Sequence, residues 1–244
     1  MTPSKLELLE IQASIFHGRI PDRYGVTVAL TDNARALWIG DAITDKLVDE
    51  LATLFVAAPP PRIASEPPPV LAELARLLDE RDPSHPLLER RSGPSYRIDP
   101  ETPLSVGVHL ETNPDYLRDA NPGNWDPMEW TELIDGKLGP YSIATVGERV
   151  ASICHTPAPL TPACAEAGVW THADYRGRGY AAATTAAWTR LVRAPGRYLF
   201  YSTDASNHSS QRAASRLRLE LLGWTHRVAP PRASSLHPLC SVKT

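Results

Sequence analysis

The sequence predicts an α/β (α+β) fold in which helices flank a mixed, mostly antiparallel central sheet. Residues 140–154 alternate apolar and polar side chains around a glycine-containing turn, which is typical of an antiparallel hairpin. Residues 165–172 have the pattern of a further strand, which leads through a glycine-rich turn into a helix at about 180–192. Another strand is predicted at 198–203, so strands flank this helix in the chain.

The bulk composition favours a folded globular protein of 244 residues, of which 42% are hydrophobic. A net charge of -3 and the lack of a basic block argue against binding to nucleic acid. No apolar run reaches the roughly 18 residues of a membrane span, and the first residues lack the order of a signal peptide, so we expect a cytoplasmic protein without a membrane partner. Cys154, Cys164 and Cys240 lack the paired spacing of a metal site, so neither a disulfide framework nor a bound metal is expected.

The N-terminal part combines a hairpin with a helix. Two short β-rich runs lie around a turn within residues 25–39, and apolar residues recur at helical spacing over 43–55, with Thr44 as the candidate N-cap. The proline runs at 59–61 and 67–69 favour extended polyproline geometry and not a helix. This stretch is the clearest linker in the chain.

Three segments follow from these patterns. Residues 1–58 form an N-terminal α+β segment, residues 59–91 a proline-rich linker with a helix that begins at Val70, and residues 92–244 a separate domain. The sequence leaves three alternatives for residues 1–58: they bind substrate, they form a contact in a homodimer, or they are a degenerate second copy of the domain.

The C-terminal domain contains further predicted elements besides those of the central sheet. A strand is predicted at 104–109, followed by a loop and helix region that holds Trp125 and Trp130. After the strand at 198–203, a helix is predicted through about Leu219, and Gly223 opens a last β segment.

The turn formed by residues 176–179, Arg-Gly-Arg-Gly, is suited to an anion. Glycine lets a ligand approach the backbone, and the N–H groups at the start of the next helix point toward a bound phosphate. The alternative interpretation, a tight turn with solvated arginines, explains the residues equally well. Two other phosphate-binding motifs do not fit. The P-loop requires a lysine directly after its last glycine, and the dinucleotide-binding fingerprint requires a third glycine, whereas Gly179 is followed by Tyr180, Ala181 and Ala182.

The segment resembles the central signature of the GNAT superfamily of acyl-CoA-dependent N-acetyltransferases, Arg-Gly-x-Gly-x-Ala between a strand and an alanine-rich helix. The resemblance implies a GNAT domain over 92–244 that uses acetyl-CoA as cosubstrate. The implied pyrophosphate-binding residues are Arg176, Gly177, Arg178, Gly179, Tyr180 and Ala181. The preceding strand would pair with the pantetheine arm through Val169, Trp170 and Thr171. One departure is Asp174, which stands where the family has Gln or Arg and would repel phosphate.

A second motif, Asn207-x-x-Ser210, follows the next strand as it does in the family. The resemblance implies that Asn207 binds the pantetheine or the backbone near it, although an asparagine at this place also suits a helix cap. Ala214 stands where the family often has a tyrosine that protonates the departing thiolate. A CoA thiolate is a fairly good leaving group, so this change does not by itself abolish activity.

The acceptor amine needs a base, since a lysine-like amine with a pKa near 10.4 is protonated at neutral pH. Glu166 is the first candidate, because GNAT enzymes frequently have a glutamate there; its other interpretation is an exposed strand carboxylate. His155 is the second candidate, although a lone histidine is more often structural. Cys154 is a weaker candidate nucleophile, because nothing near it in the sequence lowers a thiol pKa.

Trp125, Glu129 and Trp130 lie where the family builds its acceptor site. They form a candidate acidic and aromatic wall for a cationic small-molecule or peptide amine, whereas the alternative for the tryptophans is core packing. The predicted function is N-acetyl transfer to such an amine. A catalytically silent acyl-CoA-binding regulatory module is the main alternative, and a nucleotide-phosphate enzyme that uses the same turn is a more remote one.

Overall fold

The computed structural model describes residues 2–15, 25–81, 89–99, 101–102, 110–111, 114–158 and 160–229. The strand predicted at 104–109 and Cys240 lie outside these residues. The helices are α1 (Lys5–Ser14), α2 (Asp45–Ala57), α3 (Val70–Arg81), α4 (Pro114–Arg118), α5 (Pro127–Ile134), α6 (Tyr180–Val192) and α7 (His208–Arg216). The strands are β1 (Val26–Leu30), β2 (Arg35–Ile39), β3 (Glu89–Ile98), β4 (Leu110–Glu111), β5 (Tyr141–Val146), β6 (Arg149–His155), β7 (Cys164–Glu166), β8 (Gly168–Thr171), β9 (Tyr198–Ser202) and β10 (Glu220–Ala229).

The described residues divide into two compact units. The first unit contains the residues up to Ser95, the short stretch Ser202–Ser206, and the residues from Leu221 onward. The second unit contains Tyr96–Tyr201 and Asn207–Glu220.

The first unit has a sheet with the strand order β2-β1-β10-β3. The predicted hairpin is confirmed, because β1 and β2 pair antiparallel with Leu30 opposite Arg35. The Thr31 hydroxyl accepts the N–H of Ala34 at 3.0 Å and fixes the turn between the strands. Strand β10 pairs antiparallel with the other side of β1, with Val26 opposite Val228.

Helices α2 and α3 pack on this sheet through the apolar stripes that their spacing predicts. Thr44 occupies the N-cap position of α2, but its side chain makes no capping hydrogen bond. Helix α1, which we did not predict, begins with a capping box in which Ser4 and Glu7 bond each other's backbone N–H. The buried core of the unit is Val26, Val28, Leu30, Leu47, Leu51, Phe55, Val70, Leu71, Leu74, Ala75, Leu78 and Val228.

The second unit contains a four-stranded antiparallel sheet with the order β4-β5-β6-β8. The predicted hairpin of β5 and β6 is confirmed, with Tyr141 opposite His155. Helices α4 and α5 contribute to an apolar cluster with this sheet: Leu117, Trp130, Leu133, Ile134, Ile143, Val150 and Ile153. Helix α6 also packs on the sheet, where Ser142 Oγ donates to the Thr184 carbonyl at 2.6 Å.

The prediction of one continuous strand over residues 165–172 is wrong, because this segment forms two strands. Its first part is β7, which pairs in parallel with β9, with Glu166 opposite Phe200. Its second part is β8, which pairs antiparallel with β6 in the other sheet. The N–H of Ala167 donates to the Phe200 carbonyl at 2.9 Å, and after this bond the chain changes sheets.

The helix predicted through Leu219 ends earlier, at Arg216. Arg218 has a φ of 54°, so the chain leaves the helix through the left-handed region without a glycine. Strand β10 therefore begins at Glu220, before the predicted start at Gly223. Together the observed elements form a mixed, mostly antiparallel architecture with helices on the sheets, as predicted.

Candidate active site

The two halves of the divided strand separate at Ala167. Strand β7 lies at the end of its sheet and β8 lies at the end of the four-stranded sheet, although only one residue separates them in the chain. Among the described residues, β8 therefore pairs with another strand, β6, on one side only. A strand at the end of a sheet can offer backbone N–H and C=O groups to an extended ligand.

The glycine turn follows β8 after a 3-10 turn at Ala173–Tyr175. Gly177 and Gly179 have φ angles of 78° and 94°, a region that glycine adopts at little cost. Gly179 is the N-cap of α6 and supplies no side-chain cap, and the N–H of Ala183 donates to the Gly179 carbonyl at 3.1 Å. The N–H groups that precede Ala183 are left without intrahelical acceptors, so the helix start is suited to an anion.

The two arginines of the turn are exposed. Arg176 Nε donates to the Thr171 carbonyl at 3.3 Å, which ties the turn to the end of β8. The Arg178 guanidinium lies 5.5 Å from the centre of the Tyr175 ring, which keeps it beside the turn.

Asp174 lies in the 3-10 turn, and its carboxylate is 69% exposed. Its backbone N–H donates to Nδ1 of His172 at 3.2 Å, so that ring nitrogen is an acceptor. The carboxylate oxygen lies 3.8 Å from the same nitrogen, which is too long for a hydrogen bond. Because water surrounds the Asp174 carboxylate, its repulsion of a nearby phosphate is screened.

Arg216 is a residue near the turn that the sequence analysis missed. It lies near the end of α7, and its Nη2 donates to the Gly177 carbonyl at 3.0 Å. A Cβ atom at Gly179 would lie 2.9 Å from Arg216 Nη1. No sequence motif signals this contact, because 37 residues separate Arg216 from Gly179 in the chain.

Asn207 caps α7, as one of its two interpretations predicts. Its Oδ1 accepts the N–H of Ser210 at 3.1 Å. The Ser210 carbonyl in turn accepts the Tyr201 hydroxyl at 3.4 Å. The role of Asn207 and Ser210 in binding a cofactor stays a prediction.

The two candidate bases lie where the strands separate. Glu166 is 4% exposed, so the interpretation as an exposed strand carboxylate is wrong. His155 is 6% exposed and lies opposite Gly168 in the pairing of β6 with β8. Glu166 precedes Gly168 by two residues, so both candidates lie within about a side-chain length of the point of divergence.

Cys154 and Ala214 are both buried in the apolar cluster on the α6 side of the second unit. Burial raises the pKa of the Cys154 thiol far above its usual range, against a smaller lowering by a hydrogen bond with Thr185, so the thiol is not an activated nucleophile. Ala214 is 1% exposed, which leaves no open space for the tyrosine that the family often has there.

The two tryptophans have different surroundings. Trp130 is 1% exposed, and its Nε1–H donates to the carbonyls of Leu117 and Arg118 at 2.9 and 3.2 Å. The ring of Trp125 lies edge-to-face with Trp130, at 6.2 Å between centres, and with His155, at 5.2 Å. Nε1 of Trp125 is buried and has no hydrogen-bond partner among the described residues.

Of the predicted acceptor wall, Trp125 therefore lies beside a candidate base, whereas Trp130 lies in the core. Glu129 lies in the first turn of α5, and its N–H donates to the Asp126 carboxylate at 3.3 Å. Within the described ranges, no group of His, Cys, Asp and Glu side chains is arranged to hold a metal ion. In the same ranges no helix is both long and apolar enough to cross a membrane.

Residues 111–220 match the family model of the acetyltransferase (GNAT) domain. This stretch contains the divergence at Ala167, the glycine turn and the asparagine cap of α7. Over these residues the chain is similar to a GNAT domain. Acyl transfer is the general activity of that superfamily, and the match does not reach the residues before 111.

Solved structures of GNAT proteins resemble the chain. A GNAT-family protein from Novosphingobium aromaticivorans is 21% identical, with 59% of this chain and 66% of that chain covered and a TM-score of 0.43. An acetyltransferase from the GNAT family of Colwellia psychrerythraea is 14% identical, with coverage of 59% and 57% and a TM-score of 0.42. This chain thus spans less than two thirds of the length of those two proteins.

A tandem GNAT protein from the clavulanic acid biosynthesis pathway is 15% identical to this chain. The likeness covers 86% of this chain and 79% of that one, with a TM-score of 0.48. Among curated proteins, none matches the sequence of this chain.

Proposed function

We propose that the GNAT domain is an N-acyltransferase that moves an acetyl group from acetyl-CoA to an amine of a small molecule or peptide. The observation that carries the proposal is the separation of β7 from β8 at Ala167, followed by an uncapped glycine turn. A terminal strand of the sheet that leads to an anion-binding helix start matches the two parts of CoA. The pantetheine arm is extended and amide-rich, and the pyrophosphate is anionic.

In this proposal the cosubstrate lies along the chain from the glycine turn, residues 176–179, back to Ala167, where β7 and β8 separate. Its pyrophosphate binds at the turn, near Arg176 and Arg178, and its pantetheine amides pair with the edge of β8 at Val169–Thr171. The thioester then reaches Gly168, where the backbone N–H groups of the strand are placed to polarise the acyl oxygen.

The chemistry is a direct attack. The amine nitrogen forms a bond to the thioester carbon and gives up one proton to water, the C–S bond breaks, and the electron pair leaves on the CoA thiolate. An ammonium substrate must first lose a proton, which Glu166 accepts, with His155 as the alternative base. Because Ala214 supplies no acid, water protonates the departing thiolate, whose ordinary pKa of about 8.5 makes it a fair leaving group.

The acceptor approaches on the side of Trp125 and Glu129. An aromatic ring and a carboxylate suit a cationic amine, since the ring face attracts a cation and the carboxylate pairs with it. Trp130 supports this surface from the core and does not touch the acceptor.

The burial of Ala214 also supports a second candidate, an acyl-CoA-binding regulatory module without turnover. Both candidates predict that acetyl-CoA and CoA raise the melting temperature, because a ligand that binds the native state alone stabilises it. Thermal-shift measurements with acetyl-CoA, CoA, ATP and NAD therefore test the binding step. A shift with ATP or NAD and none with acetyl-CoA or CoA would reject both and favour a nucleotide enzyme.

A further inference from the structure

The guanidinium group of Arg216 connects α7 to the glycine turn. Its Nη2 donates to the Gly177 carbonyl at 3.0 Å, and its Nη1 occupies space next to Gly179. The turn and α7 are separate segments of the second unit, so Arg216 fixes the turn from outside its own loop.

Most of the donor capacity of Arg216 remains available. A guanidinium carries five N–H donors, and the Gly177 carbonyl takes one of them. The side chain is exposed, and within the described part of the chain no carboxylate forms an ion pair with it. No carboxylate in the described ranges therefore neutralises its charge.

The position of this charge favours a phosphate ligand. Arg176, Arg178 and Arg216 come from two segments and lie around the first residues of α6, where backbone N–H groups lack intrahelical acceptors. A guanidinium binds phosphate oxygens through two parallel N–H groups, which a backbone amide cannot do.

We infer that Arg216 is a pyrophosphate-binding residue of the acyl-CoA site, and that it also holds the turn open through the Gly177 carbonyl. This inference rests on the proposed function, because it names a further residue of the same site. It assigns to α7 a part in cosubstrate recognition besides the cap at Asn207.

The test is calorimetry with three ligands, CoA, dephospho-CoA and pantetheine, on the full chain and its variants. CoA and dephospho-CoA share the pyrophosphate, and pantetheine lacks it. We expect Arg216→Ala to weaken CoA and dephospho-CoA about tenfold or more and to leave pantetheine unchanged, since a hydrogen bond to a charged group contributes that much affinity. The affinity of the variant should also depend less on salt concentration.

Two further variants separate charge from structure. Arg216→Gln keeps a donor for the Gly177 carbonyl but has no charge, so we expect it to bind CoA as weakly as Arg216→Ala. Arg212→Ala removes one exposed positive charge one turn earlier on the same helix, and we expect it to bind CoA like the wild-type chain.

Three results would overturn the inference. One is normal CoA affinity in Arg216→Ala, and another is full affinity in Arg216→Gln, which would leave Arg216 only the structural bond. The third is a loss for CoA without a loss for dephospho-CoA, which would place Arg216 at the 3′-phosphate. Absence of an acyl-CoA site differs from all three, because the wild-type chain would then bind none of the ligands. Absence of transfer activity alone would leave CoA binding, and with it the role of Arg216, unchanged.

Discussion

The imidazole of His155 occupies the space that a side chain at residue 168 would need. A Cβ atom on Gly168 would lie 2.9 Å from His155 Nε2 and 3.1 Å from the Pro157 ring. Gly168 has no positive φ, so the close approach, and not its backbone conformation, is what excludes a larger residue. The point where β7 and β8 separate is therefore fitted to this imidazole.

We expect Gly168→Ala to destabilise the chain by about 1–3 kcal/mol, because the added methyl group must displace the imidazole or the proline. Urea unfolding of Gly168→Ala, His155→Ala and the double variant measures the origin of that loss. The double variant should be more stable than the sum of the single effects predicts, since removal of the imidazole makes room for the methyl group. Additive effects would show that His155 does not occupy this space.

The glycine turn gives a second prediction. Gly179→Glu should abolish acetyl-CoA binding in a folded protein, because a carboxylate would lie beside the pyrophosphate and against the Arg216 guanidinium. Gly136→Glu is the matched control. Gly136 also has a positive φ, of 74°, and among the described residues no atom beyond its two chain neighbours lies within 4 Å of its Cβ position.

Both variants carry the strain of a side chain at positive φ, so their melting temperatures show whether each is folded. Calorimetry should then find normal affinity in Gly136→Glu and none in Gly179→Glu. Unchanged affinity in Gly179→Glu would remove the turn from the binding site.

The indole nitrogens of Trp125 and Trp130 predict losses of different size for the same substitution. Trp130→Phe should lower the free energy of unfolding by about 1–3 kcal/mol, because the carbonyls of Leu117 and Arg118 lose their shared donor. Trp125→Phe should cost much less, since it removes a buried N–H that has no partner in the described chain.

Urea unfolding of the two variants checks this contrast. An equal loss in both would contradict the assignment of Trp130 to the core and Trp125 to an unsatisfied position. In an active protein, Trp125→Phe should raise the KM for the amine while the KM for acetyl-CoA stays unchanged.

The fourth prediction concerns the role of Glu166 as the general base. Glu166→Gln should keep its affinity for acetyl-CoA and lower kcat by about 10²–10⁴, the usual contribution of a general base. The loss should be largest near neutral pH, where a lysine-like amine is protonated, and should shrink as the pH rises toward the amine pKa of about 10.4. Wild-type rates across this range would reject Glu166 and direct attention to His155.

The elements with strong periodicity could be predicted from the sequence. The hairpins of β1 with β2 and β5 with β6 have clear alternation around a turn, and α2 and α3 have apolar stripes with 3.6-residue spacing. The glycine turn and the helix after it were also found, because Gly177 and Gly179 are needed for backbone angles that other residues adopt only with strain.

The features that depend on tertiary pairing could not be predicted. Nothing in residues 165–172 marks Ala167 as the change of sheets, because both halves have the same strand-like composition. Arg218 ends α7 in a left-handed conformation without the glycine that usually signals it. The contact of Arg216 with Gly177 joins segments 39 residues apart, which local patterns do not encode.

The burial of Glu166 is another feature that depends on tertiary structure and could not be predicted from the sequence. A glutamate in a short strand is most often exposed, whereas Glu166, at the end of β7 and opposite Phe200 of β9, is 4% exposed. The sequence thus offers Glu166 as a candidate base, and its burial becomes visible only in the fold.

The release of CoA thiol from acetyl-CoA, followed with and without an amine, measures whether the chain transfers the acetyl group. The assay uses the wild-type chain with polyamines, aminoglycosides, amino acids and peptide amines at several pH values, and mass spectrometry detects the product. We expect amine-dependent thiol release with an equal amount of acetylated amine. Tight binding of acetyl-CoA without amine-dependent thiol release would contradict this expectation and leave the domain as an acyl-CoA-binding module.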